Sequence, residues 1–301
     1  GKSWTGGDWL MLKRSIITGS GSYLPDRVVT NDELVERLET SDAWIIARTG
    51  IRQRHIAADG EVTSDLALIA AERALNDAGV MASEVDLLVL ATTTPDQTFP
   101  ATATRVQSRL GMINGAAFDI QAVCSGFIYG LSIADNFIKA GQAKTVVLIG
   151  AETFSRLLDW EDRNTCILFG DGAGAVLLEP SEEFGIIDSE LRIDGTGGEF
   201  LRVDGGGSLH PASHETVSNK LHYVKQDGRT VYKFAVRGMA DISYEVAERN
   251  NLTGDDISLF IPHQANKRII EAAAKRLGLK ESQVMINIDT YANTTSATIP
   301  I

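Results

Sequence analysis

The chain is 301 residues long, 44% hydrophobic and 23% charged, enough apolar material for one large α/β core or two ordinary domains. Its formal net charge of −12 argues against nucleic acid or an anionic membrane as a main partner, since each calls for an extended basic surface. No run of about 18 apolar residues predicts a transmembrane helix, no charged start with an apolar core predicts a secretory signal, and two cysteines are too few for a disulfide framework; a cytoplasmic enzyme is the default expectation.

Residues 1–10 carry three glycines and two tryptophans without a helical or strand period, and read as a leader or tag. A strand is predicted from Leu12 to Thr18. Thr30 with Glu33 forms a capping-box pattern for a helix through about Leu38. A second helix follows Thr63, with Leu66, Ile69, Ala70 and Ala74 on one face and Gly79 as its stop.

A succession of elements then occurs twice. In the first copy, the apolar strand Val85 to Leu90 runs into Thr92–Thr94, a helix ends at Arg109-Leu110-Gly111, and the strand Ala116 to Ile120 leads to Cys124. In the second, Ile257 to Ile261 runs into Pro262-His263-Gln264, a helix ends at Arg276-Leu277-Gly278, and Val284 to Ile288 leads to Asn293. Buried strands alternating with helices predict a mostly parallel sheet covered on both faces, in two related halves. The first copy continues through a helix to about Ala140, a strand Thr145 to Ile149, and a glycine-rich hairpin, Phe169 to Ala175 followed by Val176 to Leu178. The second copy stops at Ile301, which predicts that the chain as given lacks a helix and two strands.

Chemistry concentrates at the strand ends. Cys124 precedes Ser125-Gly126-Phe127 and a helix, where free N–H groups and the positive dipole end favour a thiolate, so a lowered thiol pKa is expected. Cys166 lies in an apolar stretch read as an interior strand, and is expected to be inert. His263 ends an apolar strand, where a neutral imidazole can donate to a developing oxyanion. His55, His210, His214 and His222 lack ligand spacing and read as surface or loop residues, with no zinc site. Gly19-Ser20-Gly21 lacks the third glycine of a dinucleotide fingerprint, and the Gly170–Gly174 cluster precedes a strand, so both read as tight backbone packing.

Taken together, Asp119 to Phe127 around Cys124, Pro262 to Asn266 around His263, and Asn293-Thr294-Thr295-Ser296-Ala297 resemble, in order, the nucleophile, histidine and asparagine motifs of β-ketoacyl-acyl carrier protein synthase III. Ser41 to Ile45, Arg48 to Arg52 and Phe169 to Ala175 also match, so the resemblance covers about Lys13 to Ile301. It implies the five-layered αβαβα thiolase fold of a homodimer, here with residues 11–180 as the half carrying the nucleophile and 181–301 as an incomplete half carrying histidine and asparagine. It implies that Cys124 takes an acyl group from acyl-CoA, with acetyl-CoA as the expected primer. His263 and Asn293 then stabilise the enolate formed by decarboxylation of malonyl-acyl carrier protein, with no metal or organic cofactor.

The resemblance further assigns Trp44, Arg163 and Asn266 to CoA, with Trp44 and Arg163 on either face of the adenine. It assigns Phe99 to the neighbouring subunit's acyl pocket. An ordinary surface contact for Arg163, a core position for Trp44, and a turn residue buried in its own subunit for Phe99 are the competing readings. Lys267, Arg268, Lys275 and Arg276 form a basic island in an acidic chain, and Arg268 is the expected carrier-protein contact. The family's C-terminal glycine-rich oxyanion loop has no counterpart before Ile301, so a fragment, or a segment supplied from elsewhere, is expected. A fold-retaining scaffold, a thioester acyltransferase and a related condensing enzyme of secondary metabolism that joins two longer or aromatic acyl groups are the rival functions; a thiolase would need a second cysteine as base, and Cys166 is misplaced for that.

Overall fold

The computed structural model describes residues 14–301; the leader and the start of the first predicted strand lie outside them. β1 (Arg14–Tyr23) is followed by β2 (Arg27–Thr30), α1 (Asn31–Val35), α2 (Asp42–Thr49) and β3 (Gln53–Ile56), with β2 and β3 pairing antiparallel. Thr30 caps α1 by accepting from the Glu33 N–H at 3.4 Å. The Glu33 carboxylate does not close a capping box; it pairs with Arg27 at 2.6 Å, and α1 ends at Val35 instead of Leu38.

Next come α3 (Thr63–Ala78), β4 (Leu87–Ala91), α4 (Thr102–Leu110) and β5 (Ala116–Ile120). Gly79 and Gly111 terminate the two helices with φ of +68° and +84°, the left-handed stop that glycine adopts without steric cost. Asp119 of β5 caps α4 by accepting from the Thr102 and Ala103 N–H groups at 2.8 and 2.7 Å. Then follow α5 (Gly126–Lys139), β6 (Val146–Glu152), α6 (Arg163–Cys166) and β7 (Gly172–Ser181). The remainder comprises β8 (Leu201–Val203), α7 (His214–Ser218), β9 (Val224–Gln226), α8 (Gly228–Arg249), α9 (Lys267–Leu277) and α10 (Ile288–Tyr291).

β1, β7, β6, β4 and β5 form one five-stranded sheet in that order. β4 runs parallel to β5 and β6, whereas β7 is antiparallel to β6 and β1. Every residue of β4 and β6 is buried, because helices cover both faces and leave no side for polar alternation. Leu66, Ala70 and Ala74 of α3 meet Leu88, Leu90 and Ile149 on one face; Phe127, Ala134 and Ile138 of α5 meet Val89, Leu148 and Leu178 on the other. The Gly19 and Gly21 pattern is a packing device, since a Cβ there would sit 2.5 Å from the Ala74 and Ala70 carbonyl oxygens of α3.

The second half departs from expectation. The predicted strands Ile257–Ile261 and Val284–Ile288 contribute a single parallel bridge, Phe260 to Val284, and Ile288 opens α10. Among the described residues no further strand flanks that bridge, and two lone segments bury too little to sustain a ladder. Leu259, Ile261 and Met285 accordingly remain 48%, 46% and 40% exposed. Cys166, predicted on a strand, is the last residue of α6, fully buried, with its sulfur 3.9 Å from the Trp160 carbonyl.

A third core lies under β2 and β3, where Ile45, Ile51 and Ile288 gather around Phe154 and Phe169, whose rings stack with centroids 4.3 Å apart. Arg54 is wholly buried within it. Its guanidinium donates to the Val29 carbonyl (3.2 Å), Asn31 Oδ1 (2.9 Å) and the Ile167 carbonyl (2.7 Å), and burial without an anionic partner lowers its pKa to about 10. Arg54→Ala leaves these acceptors unpaired in the interior, so we expect on the order of 3 kcal/mol or more of destabilisation, read as a lower urea midpoint.

Candidate active site

The parallel strands β4, β5 and β6 release three chain segments at one edge of the sheet, the position where open α/β sheets build their sites: Thr92–Thr94, the turn carrying Cys124, and Glu152. The 3-10 turn Val123–Ser125 packs against a second, Thr295–Ala297. Three residues without the freedom of glycine, Val123, Ala292 and Thr295, are held at φ of +46°, +58° and +50°, a cost that surrounding contacts must sustain. Glycines supply the clearance. A Cβ on Gly150 would lie 2.2 Å from the Ser296 carbonyl oxygen, and one on Gly126 3.3 Å from Ser296 Cβ. Gly174 likewise makes room for Pro300 at 2.4 Å, which explains the glycine cluster of β7 without any nucleotide.

Asn293 is buried and follows α10 instead of a strand. Its backbone is pinned to the Phe169 segment, accepting from the Gly170 N–H and donating to the Leu168 carbonyl, both at 3.0 Å. Asn293 Oδ1 accepts from the Thr295 N–H at 2.8 Å, which fixes the amide so that its NH₂ serves Cys124. Burial pushes the Cys124 thiol up to about 12, with the neighbouring Glu152 carboxyl a lesser cause, outweighing its own N–H and the Asn293 amide. The lowered pKa expected from a helix terminus is therefore not found. Cys124 sits in the 3-10 turn ahead of α5, and removal from water overrides the dipole.

Pro262-His263-Gln264 is clamped by Gln264, which donates to the Pro262 and Met285 carbonyls at 3.0 and 3.1 Å and accepts from the Asn287 N–H at 3.1 Å. Both His263 ring nitrogens are shielded and unpaired, and burial lowers the imidazole pKa to about 4, so the ring is neutral at pH 7. Thr93 Oγ1 and Thr295 Oγ1 are also buried without partners. Unpaired polar atoms of this kind mark a place that a polar ligand or solvent completes.

Sequence reasoning missed Glu152. It is fully buried at the end of β6, receives the Thr93 N–H at 3.1 and 3.0 Å on its two oxygens, and contacts Thr94 Oγ1 and Ser296 Oγ at 2.8 Å each. The signal was available: a charged residue closes the otherwise uncharged run Val146–Ala151.

Two guanidinium groups lie against the Trp44 indole, Arg48 at 5.1 Å and Arg163 at 5.2 Å from the ring centroid, and Arg163 also donates to the Glu39 carbonyl. Asn266 is engaged as the cap of α9, accepting from the Arg268 N–H at 3.0 Å and donating to the Arg48 carbonyl at 2.8 Å. Phe99 is 83% exposed, which removes the reading of a turn residue buried in its own subunit. Arg268 extends over the Tyr232 ring of α8 at 5.2 Å. Of the histidines read as surface or loop residues, His55 lies on β3 with Nδ1 2.6 Å from the Pro25 carbonyl, and His214 opens α7. His222 Nε2 is 2.8 Å from Thr216 Oγ1. Among the described residues no group of His, Cys, Asp and Glu is arranged to hold a metal ion, and no helix is long and apolar enough to cross a membrane.

Comparison with known proteins agrees with this arrangement. The family described as 3-oxoacyl-[acyl-carrier-protein (ACP)] synthase III matches residues 118–195, and its C-terminal counterpart matches 247–301. The β-ketoacyl-[acyl-carrier-protein] synthase III of Rhodospirillum centenum is 56% identical over 97% of this chain and 89% of its own length. That of Paramagnetospirillum magneticum is 54% identical over the same shares. The crystal structure of 3-oxoacyl-[acyl-carrier-protein] synthase III from Aquifex aeolicus superposes with a TM-score of 0.87 at 45% identity, covering 95% of this chain and 88% of that one. The scaffold is thus the α/β thiolase-like fold, and this chain is a condensing acyltransferase belonging to the β-ketoacyl-acyl carrier protein synthase III family.

Proposed function

We propose that the enzyme joins an acyl-CoA primer, acetyl-CoA first among candidates, to malonyl-acyl carrier protein by way of an acyl group carried on Cys124. The observation that supports this most is the juxtaposition of the half-buried Cys124 with the Asn293 amide beside the ends of the parallel strands. In the first half-reaction Cys124 Sγ attacks the thioester carbon, the C–S bond to CoA breaks, and the thiol proton passes to the departing CoA sulfur. A neutral thiol and a neutral imidazole mean that no charge is separated in the resting site.

In the second half-reaction malonyl-carrier protein loses CO₂, and enolate charge grows on its thioester oxygen. An N–H of neutral His263 and the Asn293 amide donate to that oxygen, each worth about 3 kcal/mol in a dry site. The carbanion attacks the acyl carbon, the Cys124–acyl bond breaks to give a β-ketoacyl product, and the departing Cys124 thiolate takes up a proton from solvent to restore the thiol. No step needs a metal or organic cofactor. Residues 11–180 then supply the nucleophile and 181–301 the two donors.

Trp44, flanked by Arg48 and Arg163, supports adenine binding by stacking and cation–π attraction, with Asn266 nearby through its bond to Arg48. The exposed Phe99 and the outer strand β5 support a homodimer. Arg268, with Lys267 and Lys275 on the same helix, supports docking of an acidic carrier protein. The two free cysteines support a cytoplasmic setting, and the net charge of −12 argues against nucleic acid and membrane as partners.

Incubation with a panel of acyl-CoAs, followed by malonyl-carrier protein, tests the reading by intact mass. An acyl adduct that appears and is then discharged as β-ketoacyl product is the expected result; an adduct that malonyl-carrier protein leaves in place would reduce the enzyme to a simple acyltransferase. For Trp44→Ala we expect KM for acyl-CoA to rise about tenfold, a loss of ~1.4 kcal/mol, with kcat little changed in steady-state assays.

A further inference from the structure

The buried carboxyl of Glu152 stands in the middle of the site, yet neither half-reaction uses it. Its surroundings fix its protonation by counting hydrogens. Ser296 Oγ lies 2.9 Å from the Ala91 carbonyl oxygen and 2.8 Å from Glu152 Oε1. A serine hydroxyl carries one proton, a carbonyl none, and an ionised carboxylate none. With Glu152 ionised, one of the two close oxygen pairs would be left without a proton between them. With Glu152 protonated, the carboxyl O–H donates to Ser296 Oγ, and the serine proton is free for Ala91.

The remaining contacts are donors that favour the ionised form, and burial outweighs them. The carboxyl receives the Thr93 N–H and lies 2.8 Å from Thr94 Oγ1 and 3.4 Å from Thr92 Oγ1. Among the described residues no lysine, arginine or histidine forms an ion pair with it. An ionised carboxylate buried without a cation is costly, and a protonated one is not. Burial correspondingly raises the pKa of Glu152.

We propose that Glu152 is a positioning residue that works as a neutral acid, donating its proton to Ser296 and so latching the Asn293–Ala297 turn to the ends of β4 and β6 beside Cys124. The latch reaches the chemistry through a short path. Ser296 is three residues from Asn293, whose amide orientation is set by the Thr295 N–H. The same turn bears on Val123–Ser125 and clears Gly150 by the width of a missing Cβ. Neutrality has a second effect: no fixed negative charge opposes the thiolate that Cys124 becomes as it attacks.

This inference rests on Cys124 and Asn293 acting as described above, and its test separates the two. The full chain, Glu152→Gln and Glu152→Ala would be compared in acyl-adduct formation with acetyl-CoA and in alkylation of Cys124 by iodoacetamide at fixed pH, located by peptide mass mapping. The glutamine amide can donate to Ser296 and accept from Thr93 and Thr94. It is therefore expected to acylate within about threefold of the parent and to alkylate at the parental rate across pH 7 to 9, whereas alanine should lose acylation by about tenfold or more. A tenfold or greater rise in alkylation of the glutamine variant would show that a negative charge had been removed, overturning the neutral acid. Loss of acylation by glutamine equal to that of alanine, or parental acylation by alanine, would overturn the positioning role. An alanine variant that fails to fold leaves the decision to the glutamine pH profile. A parent chain that forms no adduct refutes the underlying reading of Cys124, while the alkylation rates still judge Glu152.

Discussion

Cys124→Ala is expected to form no acyl adduct with any acyl-CoA and to lose condensation by on the order of 10⁴-fold or more, because the covalent route has no other nucleophile. Cys166 cannot substitute: it is fully buried at the end of α6, and burial raises its thiol to about 11. His263 and Asn293, the donors proposed for the malonyl thioester, are untouched by the change, so the variant should still release CO₂ from malonyl-carrier protein without forming product. His263→Ala should show the reverse, an acyl adduct that malonyl-carrier protein does not discharge. Intact mass for the adduct and a CO₂ assay for the second step distinguish the two. A Cys124→Ala protein that condenses at a parental rate would place the nucleophile elsewhere.

The second large effect concerns pH. His263 has its imidazole held down to about 4 by burial, against about 6.5 in an unfolded chain. Between those values the unfolded chain binds a proton that the folded protein refuses. Stability from this group is therefore complete above pH 6.5, falls by about 1.4 kcal/mol per pH unit below it, and levels off near pH 4 after a total of about 3 kcal/mol. Buried carboxyls with raised pKa, Glu152 and Asp171 among them, act in the opposite sense as pH falls. The measurement is accordingly the difference between the parent and His263→Asn in urea midpoints at pH 7, 5.5 and 4.5. The asparagine variant should show the shallower loss. Equal slopes in both proteins would mean that His263 is solvated and free to titrate normally.

Much of the architecture was legible in the chain. The helix stops at Gly79, Gly111 and Gly278 are all left-handed, with φ of +68°, +84° and +71°, because a terminating residue with positive φ writes itself as glycine. The strand Ala116–Ile120 was predicted to the residue, and the alternation of largely apolar strands with amphipathic helices announced a sheet covered on both faces. Cys124, His263 and Asn293 were likewise singled out in the chain by the repeat and by the resemblance of their motifs, although only Cys124 follows a strand of the sheet.

Tertiary structure decided what depends on neighbours distant in sequence. It turned Val284–Ile288 into a bridge and the start of a helix, because strand pairing is a property of partners and not of a segment. It reversed the expected pKa shift of Cys124, because desolvation depends on everything packed around the sulfur, whereas the helix-terminus argument uses only the local chain. It also revealed Glu152, whose meaning comes from Thr93, Thr94 and Ser296, residues 59, 58 and 144 positions away. Sequence determined which groups can do chemistry; packing determined which are charged while they do it, because a charge's cost is set by the medium that surrounds it.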